Sequence, residues 1–191
     1  MSAILQPDDI SPAEYLLFEN DNIEGVRHEY VDGKVYAMAG ASRNHGRLAM
    51  RLASRLYMHL EDSPCEVFQS DMKVGINPAG NKKFGSSYFY YPDVQVSCES
   101  EDDNYYNRFP CLIIEVLSNS TARVDRMEKL MAYKQLNSLQ EYVLCSQDSP
   151  SIELHRRSND WQAEYLIGGG TLTLESVSYT IEVDELYSFF A

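Results

Sequence analysis

Residues 42–61 carry the clearest periodicity in the chain. His45, Leu48, Ala49, Leu52, Leu56 and Leu60 recur at helical spacing and predict one long helix with a buried stripe, capped by Ser42. Arg43, Arg47, Arg51 and Arg55 follow at intervals of four and form a second stripe beside it. A shorter helix is predicted over 11–19, where Ser11 as N-cap precedes Pro12 at the first helical position. His28 to Met38 reads as a β-hairpin, two β-prone runs joined by Asp32-Gly33.

The middle of the chain changes to a period of two. Met72, Val74 and Ile76 alternate with Asp71 and Lys73, so 66–76 is predicted as a strand. Residues 77–87 are rich in turn formers and read as a mobile loop. Residues 88–97 predict a further strand, with Pro92 at its entry or edge. The acidic stretch 99–109 reads as a loop. Cys111–Leu117 is apolar on both faces, as a central strand covered on both sides would be. A turn at Ser118–Thr121 leads into a helix at about 122–136, then strands at 141–146, 151–157 and 163–169, and a short final helix at 183–190. The order predicts an α/β (α+β) fold: one domain over 1–191, with a central mixed β-sheet flanked by helices.

Composition agrees with a globular chain. Of 191 residues, 44% are apolar and 24% charged, enough to bury a core without staples. Sixteen basic residues against twenty-nine acidic ones leave a formal charge of −13. Such a field repels nucleic acid at long range, although a bound cation inverts the sign locally. Cys65, Cys98, Cys111 and Cys145 form no CxxC pair and read as buried free thiols in a reducing cytosol. Residues 1–9 have no basic start or apolar run of the kind a signal peptide needs, and no stretch approaches a membrane span. A cytoplasmic protein without membrane contact is expected.

Glu115 is the residue that most needs explaining. A carboxylate inside an apolar strand must be paired or shift its pKa, at a cost of several kcal/mol otherwise. It is either half of a structural ion pair or part of a site. Pro92-Asp93-Val94 supplies a second carboxylate: if strands 93–97 and 111–117 are neighbours, Asp93 and Glu115 converge at one edge. Two carboxylates with water suit Mg²⁺, which prefers oxygen ligands and keeps several waters.

Four segments together, HEYVDGKVYAMAGAS with His45 beyond it, YYPDVQV, CLIIEVLSNST and DRMEKLMAYKQL, resemble the Uma-type family of restriction-endonuclease-like proteins within the PD-(D/E)XK nuclease superfamily. The resemblance spans roughly residues 10–150 and implies a nuclease fold with metal at Asp93 and Glu115. It departs at Leu117, where the superfamily has lysine two residues after the glutamate. In the Uma-type pattern the lysine comes from the following helix, which corresponds to Lys129. At roughly 3.3 Å per strand residue and 1.5 Å per helix residue, a helix doubling back brings Lys129 to the depth of Glu115. Read alone, Lys129 would be an i,i+4 partner of Asp125 on a solvated face.

The resemblance also gives Glu29 an accessory catalytic role; read alone, it is an edge-strand carboxylate. His45 is either a hydrogen-bonded core histidine or a neighbour of the site. Lys73 reads as an exposed partner of Asp71. The arginine stripe either contacts a phosphate backbone or is a solvated face, and Lys82 and Lys83 are placed to close over a groove.

The expected function is a Mg²⁺- or Mn²⁺-dependent endonuclease acting on DNA through Asp93, Glu115, Lys129 and Glu29. Leu117 and the acidic charge favour a different class, a non-catalytic nucleic-acid-binding or interaction protein on the same scaffold. A third possibility is a homodimer in which the arginine stripe docks on an acidic face.

Overall fold

The computed structural model describes residues 10–22, 25–81, 86–118 and 121–190. Lys82 and Lys83, the N-terminal nine residues and half of the 118–121 turn lie outside them. The opening signals act as the sequence predicts. Helix α1 (Pro12–Asn20) begins with a capping box, Ser11 and Glu14 each satisfying the other's backbone N–H. Strands β1 (His28–Val31) and β2 (Lys34–Ala37) form the hairpin. Asp32 and Gly33 both take positive φ, 44° and 100°, as a two-residue hairpin turn requires. Helix α2 (Arg43–Leu60) is capped by Ser42 and buries its leucine stripe.

The next two predicted strands each divide. The 66–76 run becomes β3 (Glu66–Phe68) and β4 (Lys73–Ile76), and the 88–97 run becomes β5 (Tyr88–Tyr90) and β6 (Val94–Ser97). In both cases the halves belong to different sheets. A five-stranded sheet has the order β2-β1-β5-β4-β7, with β7 at Tyr106–Asn107. A six-stranded mixed sheet has the order β11-β10-β9-β8-β6-β3, completed by β8 (Pro110–Leu117), β9 (Glu141–Ser146), β10 (Ser151–Arg156) and β11 (Ala163–Ile167). Within these two runs the chain therefore crosses between sheets, at 69–72 and at 91–93. Ser70 has φ 59° in the first crossing, and Pro92 stands in the second, where no ladder hydrogen bond is required of it. Strands β12 (Thr171–Leu174) and β13 (Tyr179–Glu182) form a separate hairpin, which the sequence reading left without an assignment.

Strand β8 is central, antiparallel to β6 and parallel to β9. Its even positions Leu112, Ile114 and Val116 pack in the same cluster as Leu48, Leu52 and Leu56 of α2. Its odd positions Ile113 and Leu117 pack with Leu130 and Tyr133 of the helix over 122–133, here α3. Leu117 is thus a core side chain. The α1 helix closes the five-stranded sheet through Tyr15 against Tyr30, Val35 and Phe89. Among the described residues no helix is long and apolar enough to cross a membrane.

The cysteines depart from expectation. Cys65 and Cys98 form a disulfide; only Cys111 and Cys145 are free. The reason is register: Glu66 pairs with Ser97, so the residues just beyond them face each other at the end of the β3–β6 ladder. The bond closes a loop over a sequence separation of 33 residues. Reducing it, or replacing Cys98 with Ser, is expected to lower stability by about 4 kcal/mol in urea denaturation, the scale set by loop closure; unchanged midpoints with and without reductant would contradict the pairing.

Candidate active site

The crossings at 69–72 and 91–93 both open onto one cavity of about 570 Å³. Gln69 and Ser70 come from the first crossing, Tyr91 and Asp93 from the second, and Glu115 and Lys129 from β8 and α3. The cavity lies where the two sheets part, so its position follows from the topology.

Four carboxylates reach it: Glu29, Asp93, Glu115 and Asp125. Val94 pairs with Ile114, which places Asp93 beside Glu115 at the mouth of β8. Asp93 is held from two sides. Its Oδ2 accepts the Val116 N–H at 2.7 Å, and its Oδ1 lies 2.8 Å from His45 Nε2. His45 is therefore a neighbour of the site, oriented by the first turn of α2. Glu29 is not on an edge: β1 lies between β2 and β5, and Glu29 Oε1 accepts the Tyr91 backbone N–H at 3.3 Å. The Tyr91 hydroxyl in turn donates to Glu19 at 2.8 Å, which ties the second crossing to α1. Lys73, expected as an exposed partner of Asp71, is instead buried and donates to the same hydroxyl at 3.3 Å. Burial lowers its pKa from the usual lysine value. Asp71 pairs with Arg27.

The ammonium of Lys129 occupies the floor. Its Nζ stands 2.9 Å from Glu29 Oε1, 3.1 Å from Glu115 Oε1 and 3.5 Å from Asp125 Oδ1. Tyr133 adds a hydroxyl donor to Glu115 Oε1 at 3.2 Å. The four floor residues are almost sealed from solvent: Glu29 is 2% exposed, Glu115 4%, Asp125 2% and Lys129 5%.

Burial pushes the Glu115 carboxyl well above the ordinary glutamate range. Lys129 opposes that shift, and the neighbouring carboxylates reinforce it. Burial also works against the Lys129 charge, yet Glu115, Glu29 and Asp125 outweigh it and hold the ammonium protonated well above its usual range. Asp125 is likewise raised by burial, against Lys129 and Thr121.

The helix that carries Asp125 and Lys129 is irregular. Helix α3 carries a π turn at Asp125–Lys129 between the α turns Ala122–Val124 and Leu130–Tyr133. The turn begins at Asp125 and ends at Lys129, and both side chains point inward. Such bulges concentrate at functional sites. The sequence reading placed Asp125 only as a helical partner of Lys129; nothing in the local pattern signals the π turn, and Asp125 as a lining residue went unseen. Its Oδ1 accepts no hydrogen bond.

The arginine stripe splits. Arg55 pairs with Glu185 at 2.7 Å, and Arg51 lies over the Phe189 ring, so these two brace the C-terminal segment. Arg43 and Arg47 are exposed on the turns of α2 that carry His45 and Gly46 into the cavity.

The sequence matches the family described as "Uma2: Putative restriction endonuclease" over residues 12–184. The chain belongs to the Uma2 family. Among curated proteins, this Uma2 chain is 36% identical over 182 residues to the uncharacterized protein slr1290 of Synechocystis sp., covering 93% of this chain and 91% of that one. It is 33% identical over 165 residues to the uncharacterized protein sll1609 of the same organism, covering 83% and 88%. Among solved structures, a protein from Anabaena variabilis described as a "putative nuclease belonging to DUF820" superposes with a TM-score of 0.76 over 95% of this chain and 99% of that one, at 15% identity. The α/β nuclease-type fold is shared with that protein.

The geometry makes Lys129 the electrostatic keystone of this Uma2 site. Lys129→Met leaves Glu29, Glu115 and Asp125 facing one another in a sealed space, with Asp93 alongside. The variant is expected to lose about 3–5 kcal/mol at neutral pH, the usual penalty for breaking a buried ion pair. A carboxyl whose folded pKa lies above its unfolded value binds protons more tightly when folded, so acidification favours the folded state. The deficit relative to wild type should therefore shrink between pH 8 and pH 5 in urea denaturation. A deficit that is constant or grows in acid would contradict this reading.

Proposed function

We propose that this Uma2-family protein is a metal-dependent endonuclease that hydrolyses DNA phosphodiester bonds with Mg²⁺ or Mn²⁺. The observation that carries the reading is the Lys129 ammonium seated among Glu29, Glu115 and Asp125 on the floor of a cavity that Asp93 also lines. Crowding and burial together raise the pKa of Glu115 and Asp125, a strain that a bound cation would relieve.

The donor set fits a hard divalent ion. Asp93 and Glu115 would hold it, and Asp125 Oδ1 is a buried carboxylate oxygen without a hydrogen bond. Among the described residues no three His, Cys, Asp or Glu side chains are arranged as a ready metal cage. Two protein carboxylates with waters and phosphate oxygens completing the shell is the usual Mg²⁺ arrangement. When bound, the ion would lower the pKa of a water and offset charge building on the phosphate.

The chain's own residues then have distinct tasks. The Val116 N–H and His45 fix the orientation of Asp93, and Tyr133 fixes that of Glu115. Lys129, held protonated by its carboxylates, places a fixed positive charge beside the phosphate oxygens as negative charge grows on them. Glu29 positions Lys129 from the opposite sheet. Hydrolysis adds a water oxygen to phosphorus and breaks the bond to one sugar oxygen, which leaves with a proton. The nearly sealed floor keeps bulk water from screening these charges.

Leu117 buried in the core and the charge of −13 favour a second reading, a nucleic-acid-binding protein without turnover. Lys129 argues against it, because it brings an ammonium to Glu115 by another route.

Purified protein is expected to cut DNA with Mn²⁺, and calorimetry to show Mn²⁺ binding. Glu115→Ala and Asp93→Ala should each reduce cleavage by about a hundredfold or more, the scale of losing a metal or charge-stabilising group. Mn²⁺ binding without cleavage would favour the second reading; no Mn²⁺ binding would sink the proposal.

A further inference from the structure

The cavity that holds the carboxylates is larger than an ion and its waters need, and part of its wall lacks side chains. Gly40 and Gly46 both line it. Neither has a positive φ, and a Cβ at either would meet nothing within 4 Å. Backbone geometry and close packing therefore do not require glycine at these positions. Gly46 lies in an early turn of α2, where glycine costs about 1 kcal/mol of helix stability relative to alanine. Ala41 and Ala49 extend the same wall. The missing side chains are cavity space. Polar groups face that space from other elements: Gln69, Ser70 and Gln147, with the Arg27 guanidinium over the Tyr91 ring. Asp125 lines the same cavity, with its Oδ1 buried and 3.5 Å from Lys129 Nζ.

Depth decides what can use this space. Glu29, Glu115, Asp125 and Lys129 are each 5% exposed or less, so a phosphate must descend below the rim to meet them. A duplex carries its phosphates on a frame with a persistence length of about 150 bp and cannot lower one alone. It also presents about one charge per 1.7 Å, twice the density of a single strand, to a chain of net charge −13. Arg43 and Arg47 are the exposed cations of the α2 stripe beside the cavity, enough to guide one strand. A cavity of about 570 Å³ lies in the range that encloses a drug-sized ligand, the size class of a nucleotide.

We infer that the substrate is an unpaired DNA strand, whose scissile nucleotide enters the cavity with its base or sugar against the Gly40–Gly46 wall. The inference rests on the nuclease reading and narrows it to single strands, flaps and frayed ends.

The test compares one labelled oligonucleotide as a single strand, a blunt duplex and a duplex with a single-stranded flap. Cleavage is followed with Mn²⁺, and binding by anisotropy with Ca²⁺. The single strand and flap should be bound and cut better than the blunt duplex by about tenfold or more. Gly46→Phe should bind Mn²⁺ like wild type in calorimetry yet lose single-strand binding by a similar factor; Gly46→Leu takes its place if that variant fails to fold. A blunt duplex bound and cut as well as the single strand overturns the inference and leaves the nuclease reading standing. So does unchanged single-strand binding in the Gly46 variant. Absence of Mn²⁺ binding in the wild type removes the nuclease reading first and this inference with it.

Discussion

A lysine ammonium surrounded by buried carboxylates is the constraint on which the rest of this structure depends. Without Lys129, Glu29, Glu115 and Asp125 would face one another in a sealed space with no opposing charge among them. Without the carboxylates, the ammonium would not remain charged at 5% exposure. Each member comes from a different part of the architecture: β1 in the five-stranded sheet, β8 in the six-stranded sheet, and the π turn of α3. The cluster therefore fastens the two sheets and the helix together at the point where the chain crosses between them. The same fastening gathers Glu29, Glu115 and Asp125 around one cavity that Asp93 also lines.

Several parts of this arrangement were readable from the amino acids. Glu115 inside an apolar strand announced a buried charge in need of a partner, because desolvation makes such a residue costly to leave alone. The Pro92-Asp93 pair ahead of a β-prone run located the second carboxylate. The leucine stripe of α2, its Ser42 cap and the Asp32-Gly33 hairpin are local signals, and local signals survive folding. Glu29 and Lys129 were reached through the resemblance to the Uma-type proteins, because edge-strand carboxylates and i,i+4 pairs look alike on paper whether or not they are buried.

What remained hidden depends on contacts between distant segments. Residues 66–76 and 88–97 each read as one strand because β-prone residues lie on both sides of Gln69-Ser70-Asp71 and of Pro92-Asp93, the short polar breaks at which the backbone leaves one sheet for the other. Lys73 looked solvent-exposed beside Asp71 for the same reason: the crossing turns it inward toward Tyr91. The Cys65–Cys98 bond follows from the β3–β6 register, which no spacing rule foretells. Asp125 lines the site on the same helix face as Lys129, within a π turn of which the composition of DRMEK gives no sign. Half of the arginine stripe proved to brace the C-terminal segment, a tertiary pairing with Glu185 and Phe189 that helical periodicity cannot contain.

The central claim is that the Asp93 and Glu115 carboxylates receive a divalent ion while Lys129 stays on the floor. A crystal grown with Mn²⁺ and measured for anomalous scattering tests it most directly. The account predicts one strong anomalous peak bridging the Asp93 and Glu115 carboxylates at about 2.0–2.4 Å from their oxygens, with Lys129 still paired to Glu29. A crystal saturated with Mn²⁺ that shows no peak there, or a peak elsewhere with Glu115 still bound only to Lys129 and Tyr133, would contradict it.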